Sequence, residues 1–340
     1  MAVHVALLVG APRSGTTMLE RVLASHPSIL GGPEPHLLTP LAHLGVWSNV
    51  QKAPYDHIIA SMGQKDFIRK LPRQDEDYWA ACRAYCEVLY GRALQGSGKS
   101  IYLDKTPENA TILPFIAKVL PEAKYIVLTR HPVAVFCSFA QSFFGGDFAR
   151  AHAHDPILQR YVPALASFIR AKPVGFIHVR YEDFVTHPDD CVSSIYGYLG
   201  VEDDPATLDY ASRAAPQAGL GDPLGVRRHT RPSTESLTKW AGELRQMPEK
   251  LRFVQSLVER LDPADLETLG YPLDTLWAPL DTATSDPPPR RGAARDWGST
   301  KYALERKAIV GGREIVRRSA TLQRWIHTAR LACDVLLRER

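Results

Sequence analysis

The sequence predicts an α/β fold in which a central parallel sheet is flanked by helices and followed by a C-terminal helical tail. Three observations predict it. Apolar and β-branched runs of strand length recur at Val3–Val9, Ser100–Leu103, Tyr125–Thr129 and Gly175–Val179, with helix-length segments between them, and such alternation builds parallel sheets covered on both faces. A glycine-bearing turn follows the first run. Thr106-Pro107 and His131-Pro132 each place a proline where a helix begins and its missing N–H costs nothing.

Bulk properties narrow the function classes. The chain has 340 residues, more than the roughly 250–300 at which single cores stop growing, so one large α/β domain or one domain plus an appendage is expected. Apolar residues at 45% and charged residues at 23% exclude a disordered or fibrous protein. The net charge of +4 is concentrated at the end: residues 301–340 carry ten Lys/Arg against four Asp/Glu, which leaves residues 1–300 slightly acidic. A body of that charge is not a polyanion binder, and no nucleic-acid partner is expected. Cys82, Cys86, Cys137, Cys191 and Cys333 lack Cys-x-x-Cys spacing and read as reduced thiols with no metal to hold. Val5–Val9 is too short to span a membrane and lacks the charged flank of a signal peptide, so a cytoplasmic protein is expected.

Taken in order, the first strand leads into Gly10-Ala11-Pro12-Arg13-Ser14-Gly15-Thr16-Thr17 and then a helical stretch, Met18–Ala24. Glycines let such a loop curl so that its N–H groups and the helix N-terminus face an anion. The spacing is P-loop-like with one difference: the lysine that would precede the final Ser/Thr is Thr16, so the loop is poorly equipped for β- and γ-phosphates with Mg²⁺. The strands near residues 100–104 and 125–129 end at Asp104 and Arg130. Ligands of open parallel sheets sit beyond such carboxyl ends. Segments 36–74 and 144–163, rich in His, Pro, Gly and aromatics, are expected to be loops or short helices capping the site.

The PRSGTT loop resembles the 5′-phosphosulfate loop of sulfotransferases that use PAPS (3′-phosphoadenylyl sulfate), above all bacterial members and the tyrosylprotein branch. The stretch YIVLTRHPVAVFCS, Tyr125–Ser138, is similar to that family's 3′-phosphate segment. The resemblance implies that Arg13, Ser14, Gly15, Thr16 and Thr17 hold the 5′ side of the nucleotide, and that Arg130 and Ser138 hold its 3′-phosphate. A guanidinium suits that task because it offers two parallel charge-assisted hydrogen bonds. Weaker matches are Arg180-Tyr181-Glu182-Asp183, which places Tyr181 near the nucleotide, and GVRRHTRPSTESLTKW (Gly225–Trp240), which nominates Arg228 and Lys239 in a loop folding over it. Together the matches run from about residue 5 to residue 245.

For catalysis, sulfuryl transfer needs alignment of acceptor and leaving group, and neutralisation of charge on the bridging oxygen. Arg13 and Lys105 are the cations for this, Lys105 because the tyrosylprotein branch gives its matching lysine that role. The acceptor hydroxyl must lose a proton to a carboxylate or imidazole. Glu34, in Gly31-Gly32-Pro33-Glu34-Pro35-His36, stands where the tyrosylprotein branch has its catalytic glutamate, with His36 and His229 as the alternatives. No metal is required. The expected partner is a hydroxyl-bearing small molecule, lipid or glycan.

Two other classes stay open. A P-loop kinase or NTPase would take Ile101–Asp104 as its Walker B strand, and a nucleotide-binding adaptor would use the same loop without chemistry. After the domain at residues 1–280, residues 281–300 read as a linker and 301–340 as a basic amphipathic helix. Leu322, Ile326, Ala329, Cys333 and Leu336 form its apolar stripe, suited to packing on the body, self-association or a membrane surface.

Overall fold

Strand β1 (His4–Val9) is buried from Val5 to Val9, the near-continuous apolar run of a strand covered on both faces. A computed structural model describes the protein at residues 4–32, 34–35, 37–42, 57–210 and 231–282, with Ser319, Thr321 and Trp325. The chain divides into two compact units, 1–50 with 58–288, and 51–57 with 289–340. Of residues 281–340, expected to form a linker and tail, most lie outside the described residues, and all that follows, His57 apart, concerns the first unit.

Five parallel strands order as β2-β3-β1-β4-β5, with β2 at Ile29–Leu30, β3 at Ile101–Asp104, β4 at Lys124–Thr129 and β5 at Phe176–Arg180. The four expected strands are present within a residue or so of their expected bounds. The two-residue edge strand β2 is too short to leave a periodic signal. Register places Leu7 beside Asp104 on one side and Tyr125 on the other. Alternate residues serve opposite faces: Leu7, Val9, Tyr125 and Val127 enter one core, and Ala6, Leu8, Ile126 and Leu128 the other, as period-2 side-chain alternation requires.

Helix α1 (Thr16–Ala24) follows β1 directly. Lys99 closes its far end: Nζ donates to the carbonyls of Ala24, His26 and Ile29 at 3.3, 2.9 and 2.6 Å, satisfying acceptors that a helix terminus leaves open. Next come α2 (Leu38–Ala42), α3 (His57–Ile68) and α4 (Asp75–Leu94). Pro107 opens a 3₁₀ turn, Pro107–Thr111, ahead of α5 (Leu113–Val119), and Pro132 opens α6 (Pro132–Phe144), the two starts the sequence marks.

Residues 144–163 are more regular than expected. They hold α7 (Phe148–His154) and the first half of α8 (Ile157–Ala171), with Pro163 inside the helix. Proline within a helix costs about 3 kcal/mol, but seven buried side chains on α8, from Ile157 to Phe168, offset it at roughly 1.5–3 kcal/mol for each large apolar one. Helices α9 (Tyr181–Thr186), α10 (Pro188–Leu199), α11 (Lys239–Gln246), α12 (Pro248–Val258), α13 (Pro263–Thr268) and α14 (Pro279–Thr282) complete the described elements. Among the described residues, no helix is long and apolar enough to cross a membrane.

Candidate active site

The strand order reverses around β1, so the loops after β1 and β4 lie side by side at the carboxyl edge. Gly10 permits this closeness: a Cβ there would lie 2.6 Å from the Leu128 carbonyl oxygen. The loop then curls through two left-handed residues, Arg13 (φ 71°) and Gly15 (φ 94°), on either side of Ser14. Successive amides in such a bend turn toward one point and make an anion-binding concavity. Thr16 and Thr17 add the first-turn amides of α1, whose N-terminal end favours negative charge. Ser14 and Thr16 are buried, while Arg13 and Thr17 are partly exposed.

The second segment meets the first directly. Arg13 Nε donates to Ser138 Oγ at 3.3 Å, and Arg130 donates from Nη1 to the Arg13 carbonyl and from Nη2 to the Ser236 carbonyl, both at 3.0 Å. The Arg130 guanidinium lies over the Tyr181 ring, 4.2 Å from its centroid. That ring occupies the space a Gly15 side chain would need, since a Cβ there would lie 2.5 Å from Tyr181 Cδ2. Loop, arginine and tyrosine therefore fix one another. Burial holds the Arg130 pKa below its ordinary value, with Tyr181 and Glu182 opposing. The guanidinium stays charged throughout the working range.

Beneath this pair, Glu182 accepts the His131 backbone N–H at 3.0 Å and the Tyr271 hydroxyl at 2.5 Å. It thereby ties the start of α9, the start of α6 and the C-terminal segment together. His131 stacks on Trp240 at 4.5 Å and shares a 2.8 Å hydrogen bond with the Leu276 carbonyl through Nε2. Burial lowers its pKa to about 4, so the ring is neutral at physiological pH.

At the carboxyl end of β3, the buried Asp104 accepts from the Tyr90 hydroxyl at 2.5 Å, from Thr106 at 3.0 Å and from Asn109 at 3.3 Å. This fully bonded carboxylate fixes the strand end. The next residue, Lys105, is buried at 3% side-chain exposure and forms an ion pair with Glu34, itself only 12% exposed. The two residues singled out for catalysis are thus partners in a desolvated pair, where Coulomb attraction is far stronger than in water.

Other nominated residues fare differently. His36, Arg228 and His229 lie outside the described residues. Lys239, the first residue of α11, is 61% exposed and pairs with Glu235 at 3.9 Å. The 225–240 segment reaches Arg130 through the Ser236 carbonyl instead. Two residues went unread in the sequence. Glu20, on the inner face of α1, is 7% exposed and electrostatically coupled to both Lys105 and Glu34. Its place in TTMLERVLA, as the charged residue beside buried Leu19, was the available signal. Tyr271 carried none, because its partner Glu182 is 89 residues away.

Comparison with known proteins gives the same answer. The profile of the sulfotransferase family matches residues 6–205. The nodulation protein NoeE of Sinorhizobium fredii is 28% identical over 290 residues, 78% of this chain and 66% of that protein. Protein-tyrosine sulfotransferase 1 of Danio rerio is 24% identical over 244 residues, covering 69% and 65% of the two chains. The chain thus spans a little under two thirds of the length of these relatives. Two solved domains share the fold. The sulfotransferase domain from the curacin biosynthetic pathway has a TM-score of 0.53 at 21% identity, covering 80% of this chain and 99% of its own. That of the Synechococcus PCC 7002 olefin synthase has a TM-score of 0.51 at 24% identity, covering 79% and 94%. With a profile matched across more than half its length and the loop and arginine segments set at one sheet edge, the chain belongs to the sulfotransferase family.

Proposed function

We propose that the protein transfers a sulfuryl group from PAPS to a hydroxyl of a small-molecule, lipid or glycan acceptor, with Glu34 as general base. The observation that carries this reading is the buried Lys105–Glu34 ion pair at the end of β3, beside a β1 loop curled for an anion. The donor would supply an activated sulfuryl group attached to a phosphate oxygen. Arg13, Ser14 and the amides of Gly15, Thr16 and Thr17 hold its 5′ side. Arg130 and Ser138 hold the 3′-phosphate, with Tyr181 stacked beneath the arginine.

As the acceptor oxygen bonds to sulfur and the sulfur–oxygen bond to the nucleotide breaks, Glu34 takes the acceptor proton. Lys105 and Arg13 stabilise the charge left on the departing phosphate oxygen. Their cations act where that charge develops, so transition-state stabilisation exceeds ground-state binding. In this reading Tyr161, which lines a cavity together with Ser14 and Arg130, and Phe143, whose ring centroid lies 5.9 Å from the Arg13 guanidinium, shape the acceptor's approach.

A kinase reading loses its second support here, since the Asp104 carboxylate is engaged by Tyr90, Thr106 and Asn109. The direct test is Glu34→Gln. Its affinity for PAP, the desulfated product, should stay near wild type while turnover falls by about 10² or more, the scale of general-base loss. Unchanged turnover would remove Glu34 from the reaction and turn attention to His36 and His229.

A further inference from the structure

Glu20 is a buried carboxyl that the transfer just described does not use. It projects from the inner face of α1, four residues after Thr16, and accepts the backbone N–H of Gly32. Gly31, three residues before Glu34, packs against this helix. A Cβ on Gly31 would come within 2.6 Å of both Glu20 Oε1 and Ala24 Cβ, so only glycine fits. Charged and titratable groups face Glu20 from each side: Lys105 beyond β3, Glu34 in the loop, Arg21 on its own helix and Tyr102 on β3. Arg21 is partly engaged elsewhere, over the Tyr210 ring at 4.5 Å. Lys105 is ion-paired with Glu34 and within electrostatic reach of Glu20.

We propose that Glu20 is a positioning residue for the transfer: it tethers the Gly31–Gly32 backbone, just ahead of Glu34, to the phosphate-loop helix and competes with Glu34 for the Lys105 ammonium. When Glu20 is ionised, Lys105 is shared, and Glu34 is released to accept the acceptor proton. When Glu20 is protonated, Lys105 is held by Glu34 alone and the base is engaged. Burial is the main reason its pKa is pushed up to about 7, with Lys105 and Arg21 opposing and Glu34 adding, so the switch falls in the physiological range. The inference rests on the assignment of Glu34 and Lys105 above.

The experiment is the pH dependence of kcat between about pH 5.5 and 8.5 for wild type, Glu20→Gln and Glu20→Ala, with PAP affinity measured on each as a check of the donor site. Glutamine keeps the acceptor for Gly32 and cannot ionise. The wild-type rate should rise about tenfold through pH 7. Glu20→Gln should match wild type at the acid end and lack the rise, and Glu20→Ala should be slow at every pH because the tether is gone. A rise that persists in Glu20→Gln, or a uniform slowing with the profile's shape unchanged, would overturn the proposal. So would an alanine variant as fast as wild type. A Glu34→Gln variant that stays active would instead sink the base assignment, while the comparison at Glu20 keeps its own outcome.

Discussion

Gly15 shows how much a single position can carry. Its φ of 94° is left-handed, and the Tyr181 ring lies where its side chain would be. Alanine there meets both penalties, of which the backbone term alone is about 1–2 kcal/mol. Gly15→Ala should lower unfolding stability by at least that much in a denaturant titration, and weaken PAP binding because loop and ring move apart. An unchanged midpoint would mean that the ring is not held against the loop. The glycine itself was legible in the sequence because a phosphate loop is written in consecutive residues. Its partner was legible only as a weak motif, since Tyr181 reaches Gly15 across the sheet. Glu20 escaped for a related reason: a glutamate on an amphipathic helix reads as solvated until the close approach at Gly31 is known. The sequence marks Arg13 as a cation for the 5′ side of the nucleotide and the leaving-group charge, and the structure adds that its side chain turns to Ser138.

At the scale of elements, two buried groups, Glu20 within α1 and His131 at the head of α6, oppose each other in pH. Glu20 has an ordinary pKa of 4.5 raised to about 7 on folding. Its contribution to stability is full below pH 4.5 and is lost as pH rises through 7. His131 has an ordinary pKa of 6.5 lowered to about 4. Its contribution is full above pH 6.5 and is lost as pH falls toward 4. Each shift corresponds to about 3 kcal/mol, with opposite sign. Acidification from pH 7 to 4.5 should therefore destabilise Glu20→Gln by about 3 kcal/mol more than wild type, read from unfolding curves at each pH. Parallel curves for the two proteins would contradict the burial of a raised carboxyl at residue 20. Elements with strong local signals, such as β1, β4 and the helix opened by Pro132, were readable in advance. Strand β2 was not, because two residues carry no period, and α8 was not, because Pro163 argues against a helix that tertiary burial then stabilises.

For the whole molecule, the strand order β2-β3-β1-β4-β5 is what gathers residues 13–17, 105, 130 and 138 at one edge. Alternation of strands and helices foretold a parallel sheet, and ligand binding beyond its carboxyl ends followed from that. The order itself, and hence the contact between Arg13 and Ser138, depends on pairings between strands far apart in sequence. The central claim is that this edge binds a nucleotide carrying phosphates at both ends. It is tested most directly by calorimetric titration of PAP against ADP without metal, on wild type, Arg130→Ala and Ser138→Ala. Wild type should bind PAP about 100-fold more tightly than ADP, the worth of two charge-assisted hydrogen bonds. That preference should collapse in Arg130→Ala and shrink in Ser138→Ala, with ADP binding weak throughout. Equal binding of PAP and ADP by the wild type would contradict the donor site, and with it the assignment of sulfuryl transfer to this edge of the sheet.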